Sequence, residues 1–104
     1  NLKAYPPEYI FSEKLEAILH LGELNSRMKD FYDCYRLIQE DVLDKKLLKN
    51  AIKETLENRG TEFSLIPEPT ETFNVKWNSF LKKNRVESLK PDLIISEINN
   101  FLKL

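Results

Sequence analysis

The sequence predicts an all-α fold. Apolar residues recur at helical spacing, no stretch shows the alternation of a strand, and only two glycines occur in 104 residues. About five helices joined by short connections make a compact bundle, and no internal repeat or low-complexity tract interrupts the pattern.

Each helix has its own local justification. The first is predicted to begin near Pro6-Pro7, because proline suits a first helical turn, and to end between His20 and Gly22. The second is capped by Asn25 or Ser26 and runs to about Glu40. Asp44 caps the third, in which Leu47, Leu48, Ala51, Ile52, Thr55 and Leu56 fall at helical spacing, with Gly60 just past its end. The segment TEFSLIPEP, residues 61 to 69, reads as a loop, since Pro67 and Pro69 oppose helix. A fourth helix starts at Thr70 or Thr72, with Phe73, Trp77, Phe80 and Leu81 as its core stripe. Pro91 favours a fresh start, and the last helix turns Ile94, Ile95, Ile98, Phe101 and Leu102 inward.

Composition narrows the function classes. With 41% hydrophobic and 32% charged residues the chain suits one globular domain spanning residues 1–104. Sixteen basic residues against seventeen acidic ones predict no polyanionic partner from overall charge, so a nucleic-acid contact would need a local patch. A single cysteine, Cys34, excludes an internal disulfide framework and a cysteine-only metal site. It fits a reducing compartment, and a cytoplasmic location is expected. No apolar run approaches the roughly 18 residues of a membrane span, and NLKAYPPEY lacks the design of a signal peptide. The chain begins with Asn1, which suggests a piece of something longer.

Charged residues on apolar faces are the informative feature. At about 100° per residue, Lys14 falls inside the broad apolar arc of the first helix, beside Ile10, Ala17 and Ile18, whereas Glu13, Glu16 and His20 cluster on the side expected to be solvated. On the second helix Arg27 lies within the face formed by Met28, Phe31, Cys34, Tyr35 and Ile38, and Asp30 lies at its edge. Lys29, Asp33 and Arg36 group on the polar side. Inward charges are costly unless paired, so Lys14 is expected to meet Asp30 when the two helices pack as an antiparallel hairpin through the GELN turn. Two readings follow. Lys14 either snorkels within an ion-pair cluster that only fixes helix register, or it belongs to a cationic site, held by Asp30, for a phosphate-bearing ligand.

The run EKLEAILHLGELNSRMKDFYDCYRL, with YPPEY before it and NRGT after it, resembles the C-terminal half of the AbiEii/AbiGii toxin family of nucleotidyltransferases over about residues 5 to 61. The resemblance implies a C-terminal helical domain of a two-domain enzyme, preceded by a polymerase-β-like nucleotidyltransferase domain. It also implies a toxin of an abortive-infection toxin–antitoxin system, that is, phage defence. The family's lysine in an "EKL.A" helix maps onto Lys14 and its aspartate in an "R.KD..D" helix onto Asp30, which gives these two the expected catalytic roles. Arg27 and Lys29, in the second motif, become the expected substrate-binding residues.

The sequence departs from the family in one respect. Such enzymes carry a Gly-Ser segment followed by paired carboxylates that hold magnesium, and this chain has no Gly-Ser dipeptide and no Asp-x-Asp triplet after a strand. No metal ligands and no cofactor are therefore assigned within the chain, and alone it is expected not to transfer nucleotides. For the intact enzyme Mg2+ and a nucleoside triphosphate are expected. The expected partners are its own N-terminal nucleotidyltransferase domain, the nucleotide, an RNA acceptor and an antitoxin, with no membrane.

Other residues offer less. His20 has no second ligand at metal-binding spacing, and Cys34 reads as a buried structural thiol. Tyr32, Tyr35 and Trp77 could stack on bases, but their spacing is that of core aromatics. Lys82, Lys83 and Arg85 suit a solvated helix terminus, with contact to RNA as the alternative. Two classes of function stay open: the substrate-side helical domain of a nucleotidyltransferase toxin, and a non-catalytic helical interaction module with a structural ion-pair cluster.

Overall fold

A computed structural model describes residues 6–21, 28–86 and 88–103. They form five helices: α1 (Pro7–Leu21), α2 (Met28–Gln39), α3 (Lys45–Arg59), α4 (Glu71–Asn84) and α5 (Pro91–Leu102). The fold class is all-α, as the sequence predicts. Residues 61–70 run without regular structure between α3 and α4.

Local chemistry sets the helix ends. The Asp44 side chain accepts the Leu47 N–H and starts α3; Gly60, at φ 66°, ends it in the left-handed conformation that suits glycine. Thr70 caps α4 by accepting the Phe73 N–H, which fixes the choice left between Thr70 and Thr72. Arg85 closes that helix with a positive φ of 55°, and Pro91 opens α5. The caps expected at Asn25 or Ser26, and the GELN turn, lie outside the described residues.

The helices pack around one core. Lys14 meets α2 at Asp30 and Asp33, while Phe11, one turn earlier, meets Cys34, so α1 and α2 run antiparallel. The other side of α1 lies on α3, and α2 also packs against α4 and α5. Phe11, Leu15, Leu48, Trp77, Ile94 and Ile98 are buried at the centre. Phe73, Trp77 and Phe80 of α4 form a run of aromatic contacts that meets Phe31 and Tyr32 of α2. The Trp77 indole N–H donates to the Leu89 carbonyl, satisfying the one polar group of this buried ring.

Two expectations for α1 are corrected. Glu16, expected to be solvated, is 5% exposed, because α3 and the start of the following loop cover that side. Thr61 Oγ1 donates to its Oε2 at 2.7 Å. Conversely Ile10 and Leu21, on the Lys14 side of the apolar arc, are more than a third exposed. Only part of that arc faces a neighbouring helix.

Candidate functional site

The α1–α2 seam brings together the charges that periodicity picked out. Lys14 Nζ lies 3.8 Å from Asp30 Oδ1 and 3.0 Å from Asp33 Oδ2. Asp30 is buried, whereas the Lys14 side chain keeps a quarter of its surface in solvent. The stem of Lys14 thus covers apolar surface while its ammonium reaches the mouth of the seam. The expected facing of Lys14 and Asp30 is present, and the nearer partner is Asp33.

Asp33 is the residue that sequence reasoning placed elsewhere. Grouped with the polar side of α2, it is in fact only about one-fifth exposed and accepts from both Lys14 and Lys29. Asp30 and Asp33 stand three apart, so both fall on the edge of α2 that α1 covers. Burial pulls the Asp33 carboxyl upward, but hydrogen bonds and charge from Lys29 and Lys14 outweigh it and hold the group below its usual range. Lys29, 2.8 Å from Asp33, is largely exposed and closes the solvent side of the cluster. Arg27 lies outside the described residues.

Beside Lys14 opens a cleft of about 490 Å³, lined by Tyr9, Ile10, Glu13, Lys14, Glu16, Ala17, Asp30 and Arg59. Its second wall is built by α3. Arg59 donates to both Glu13 carboxylate oxygens, at 3.0 and 3.4 Å, and sits 3.7 Å from Glu16. The Tyr9 hydroxyl donates to Glu54, and that bond, with the neighbouring carboxylate charge, raises the phenol above its usual range. Arg59 belongs to the NRGT segment, and nothing in the periodicity of α3 distinguishes it from other end-of-helix arginines. The cleft thus carries a lysine on one wall and an arginine on the other, each oriented by carboxylates. Such a pair can meet phosphate oxygens by charge, with the planar guanidinium adding directional hydrogen bonds.

The remaining candidates do not line this cleft. Cys34 is fully buried; burial pushes its thiol well above the usual range, and its Sγ lies 4.0 Å from the Phe11 carbonyl oxygen. His20 is exposed, as are Lys82, Lys83 and Arg85 at the end of α4. Tyr32 and Tyr35 are partly buried against the core. Among the described residues no three His, Cys, Asp or Glu side chains converge as a metal ligand set, and no described helix is long and apolar enough to cross a membrane.

Comparison with known proteins identifies a family. The family model described as "Nucleotidyl transferase AbiEii toxin, Type IV TA system" matches residues 1–94, which includes both walls of the cleft and extends well past the segment on which the resemblance rests. No curated protein and no solved structure gives a significant match. The matched span covers most of the chain, the positions of Lys14, Asp30 and Asp33 included, and the chain belongs to the AbiEii family of nucleotidyl transferase toxins.

Proposed function

We propose that this helical domain supplies the phosphate-contacting side of a nucleotidyltransferase toxin that moves a nucleoside monophosphate from a triphosphate to an acceptor. The observation that carries the reading is the placement of Lys14: its ammonium is pinned between Asp30 and Asp33 on the wall of a cleft, with Arg59 on the facing wall. A cation fixed in advance, where water is partly excluded, stabilises charge that develops during transfer without having to reorganise. In this reading Lys14 meets phosphate oxygens and Asp30 and Asp33 orient it. Lys29 adds positive potential at the edge of the site, and the family resemblance assigns Arg27, outside the described residues, to substrate binding.

Magnesium does not fit this cluster. Asp30 and Asp33 both face Lys14, and Asp33 also binds Lys29, so their negative charge is already offset by ammonium groups. The metal-holding carboxylates belong, in this proposal, to a Gly-Ser and paired-carboxylate segment of a preceding domain. The chain alone then binds nucleotide weakly and leaves acceptors unmodified.

One observation favours the second reading, a structural ion-pair network in an interaction module. Lys14, Lys29 and Arg59 each have a carboxylate partner within the fold, so none of the three needs a ligand for charge balance. Titrating the 104-residue chain with a nucleoside triphosphate, followed by amide chemical shifts, separates the two. Shifts centred on α1 near Lys14 and on Arg59, lost in Lys14→Ala, support the phosphate site. Their absence at millimolar nucleotide supports the structural network.

A further inference from the structure

A second concave surface lies apart from the Lys14 cleft, between α3, the segment after Gly60 and the end of α5. Its volume is about 390 Å³, and Lys49, Ile52, Lys53, Leu56, Glu57, Thr61, Phe63 and Leu102 line it. The floor is aliphatic: Ile52, Leu56 and Leu102 show only their outer edges. Phe63 forms a wall with half its surface exposed.

The charged residues that line this groove are Lys49, Lys53 and Glu57. Lys45, Lys49 and Lys53 follow one another at four-residue spacing and so form a row on α3, with Lys46 beside it. Among the described residues Lys46, Lys49 and Lys53 have no carboxylate within ion-pair distance, whereas Glu13 and Glu16 of α1 are paired with Arg59. Lys45 lies over the Phe101 ring. Like charges at this spacing weaken a helix, so the row costs stability. The sign reverses only at Glu57, one turn beyond Lys53.

We propose that this groove docks an acidic amphipathic helix of a partner protein. The apolar side chains of that helix, three and four residues apart, would cover Ile52, Leu56, Phe63 and Leu102, and its carboxylates would meet Lys49 and Lys53. From Lys49 to Glu57 the groove follows about 12 Å of α3 at roughly 1.5 Å per residue, or about two turns of a bound helix. Depletion of charge at the centre with charged groups at the edge is the usual anatomy of a helix-binding groove. An RNA strand fits less well. Its phosphates would suit the lysines, but its bases would place their polar edges on an aliphatic floor that offers no hydrogen bonds.

The test uses the 104-residue chain and a fluorescein-labelled helical peptide with leucines at positions i, i+3, i+4 and i+7 flanked by glutamates. Controls are a scrambled peptide of the same composition, a lysine-flanked version and a single-stranded RNA of equal charge. The expected result is saturable binding of the glutamate peptide that shifts the amides of Lys49, Lys53, Phe63 and Leu102. The scrambled peptide should bind at least tenfold more weakly, and Phe63→Ser should cost a similar factor. The double variant Lys49→Glu, Lys53→Glu should prefer the lysine-flanked peptide by at least tenfold. All these substitutions are on exposed side chains, and unchanged helical circular dichroism confirms that each variant is folded. Equal binding of the scrambled peptide, tighter binding of the RNA at this groove, or shifts confined to other surfaces would overturn the proposal. So would concentration-dependent self-association that Phe63→Ser abolishes, since the occupant would then be a second copy of the chain.

Discussion

Lys14 Nζ stands 3.0 Å from Asp33 Oδ2, a shorter approach than the 3.8 Å that separates it from the buried Asp30. Lysine is thus held by two carboxylates on successive turns of α2, one buried and one reaching toward solvent. Asp30 restricts where the stem can lie, and Asp33 fixes the ammonium at the cleft mouth. The arrangement makes Lys14 a partly buried, positioned charge, and Lys29 an exposed one that shares only its outer partner.

That difference predicts unequal effects of two lysine substitutions in an intact enzyme carrying this domain. Lys14→Ala should lower nucleotidyl transfer by roughly a hundredfold, about 3 kcal/mol in barrier, as expected for loss of one preorganised electrostatic contact. Lys29→Ala, at a largely exposed position, should cost no more than a few-fold. Labelled-nucleotide transfer at equal amounts of folded protein measures both. Equal activity of Lys14→Ala and the parent would leave Lys14 a structural role only.

Asp33 carries a pH signature. Its carboxyl is held below the usual 3.8 by the two lysines, so the folded state binds this proton less readily than the unfolded state. Its stabilising contribution is complete above the usual value and disappears as the pH falls through the lower, folded value. Because the pair is partly exposed, the contribution should not exceed about 1 kcal/mol at neutral pH. Urea unfolding of the parent and Asp33→Asn, from about pH 7 to about pH 2.5, should show a difference that shrinks as the pH falls below the usual carboxyl range. A difference that is the same at every pH would assign Asp33's effect to packing instead.

Glu8 ties the start of α1 to the start of α3. Its buried carboxylate accepts the Asp44 N–H at 2.6 Å, and Asp44 in turn caps α3 through Leu47. Glu8→Ala should lower stability by about 1.5–3 kcal/mol, the range for a hydrogen bond to a charged group, and Glu8→Gln, which keeps an acceptor, by less. Thermal unfolding ranks the three proteins. A Glu8→Gln variant less stable than Glu8→Ala would rule out the acceptor role.

Asn99 holds the loop between α3 and α4 in place. Its side-chain oxygen accepts the Ile66 N–H at 2.8 Å and its amide donates to the Ile66 carbonyl at 2.7 Å, a two-bond clasp that pins Ile66 into the core. Asn99→Ala should cost about 2 kcal/mol and speed hydrogen exchange at the Ile66 amide well above that of the helix amides. Asn99→Asp retains only the accepted bond and should fall between. Unchanged protection of Ile66 in Asn99→Ala would show that the proline-rich loop holds itself.

Much of the fold could be read from the chain because its signals are local. Asp44, Gly60, Thr70 and Pro91 act on backbone groups within a turn of themselves, and each ends or begins the helix that the sequence assigns to it. Periodicity likewise marked Lys14 and Asp30, because a charge on an otherwise apolar face must find a partner wherever the neighbouring helix lies. What the sequence could not decide is which neighbour covers which edge. Glu8, Glu16 and Asp33 are ordinary helix-surface carboxylates in one dimension. Tertiary packing buries Glu8 and Glu16 and partly covers Asp33 by laying α3 and the following loop on one side of α1 and α2 on the other. Asn99 and Arg59 gain their roles in the same way, from partners 33 and 46 residues away. Helix ends are fixed by hydrogen bonds between near neighbours, whereas the desolvation and pairing of a charge depend on distant segments that only the assembled bundle brings within reach.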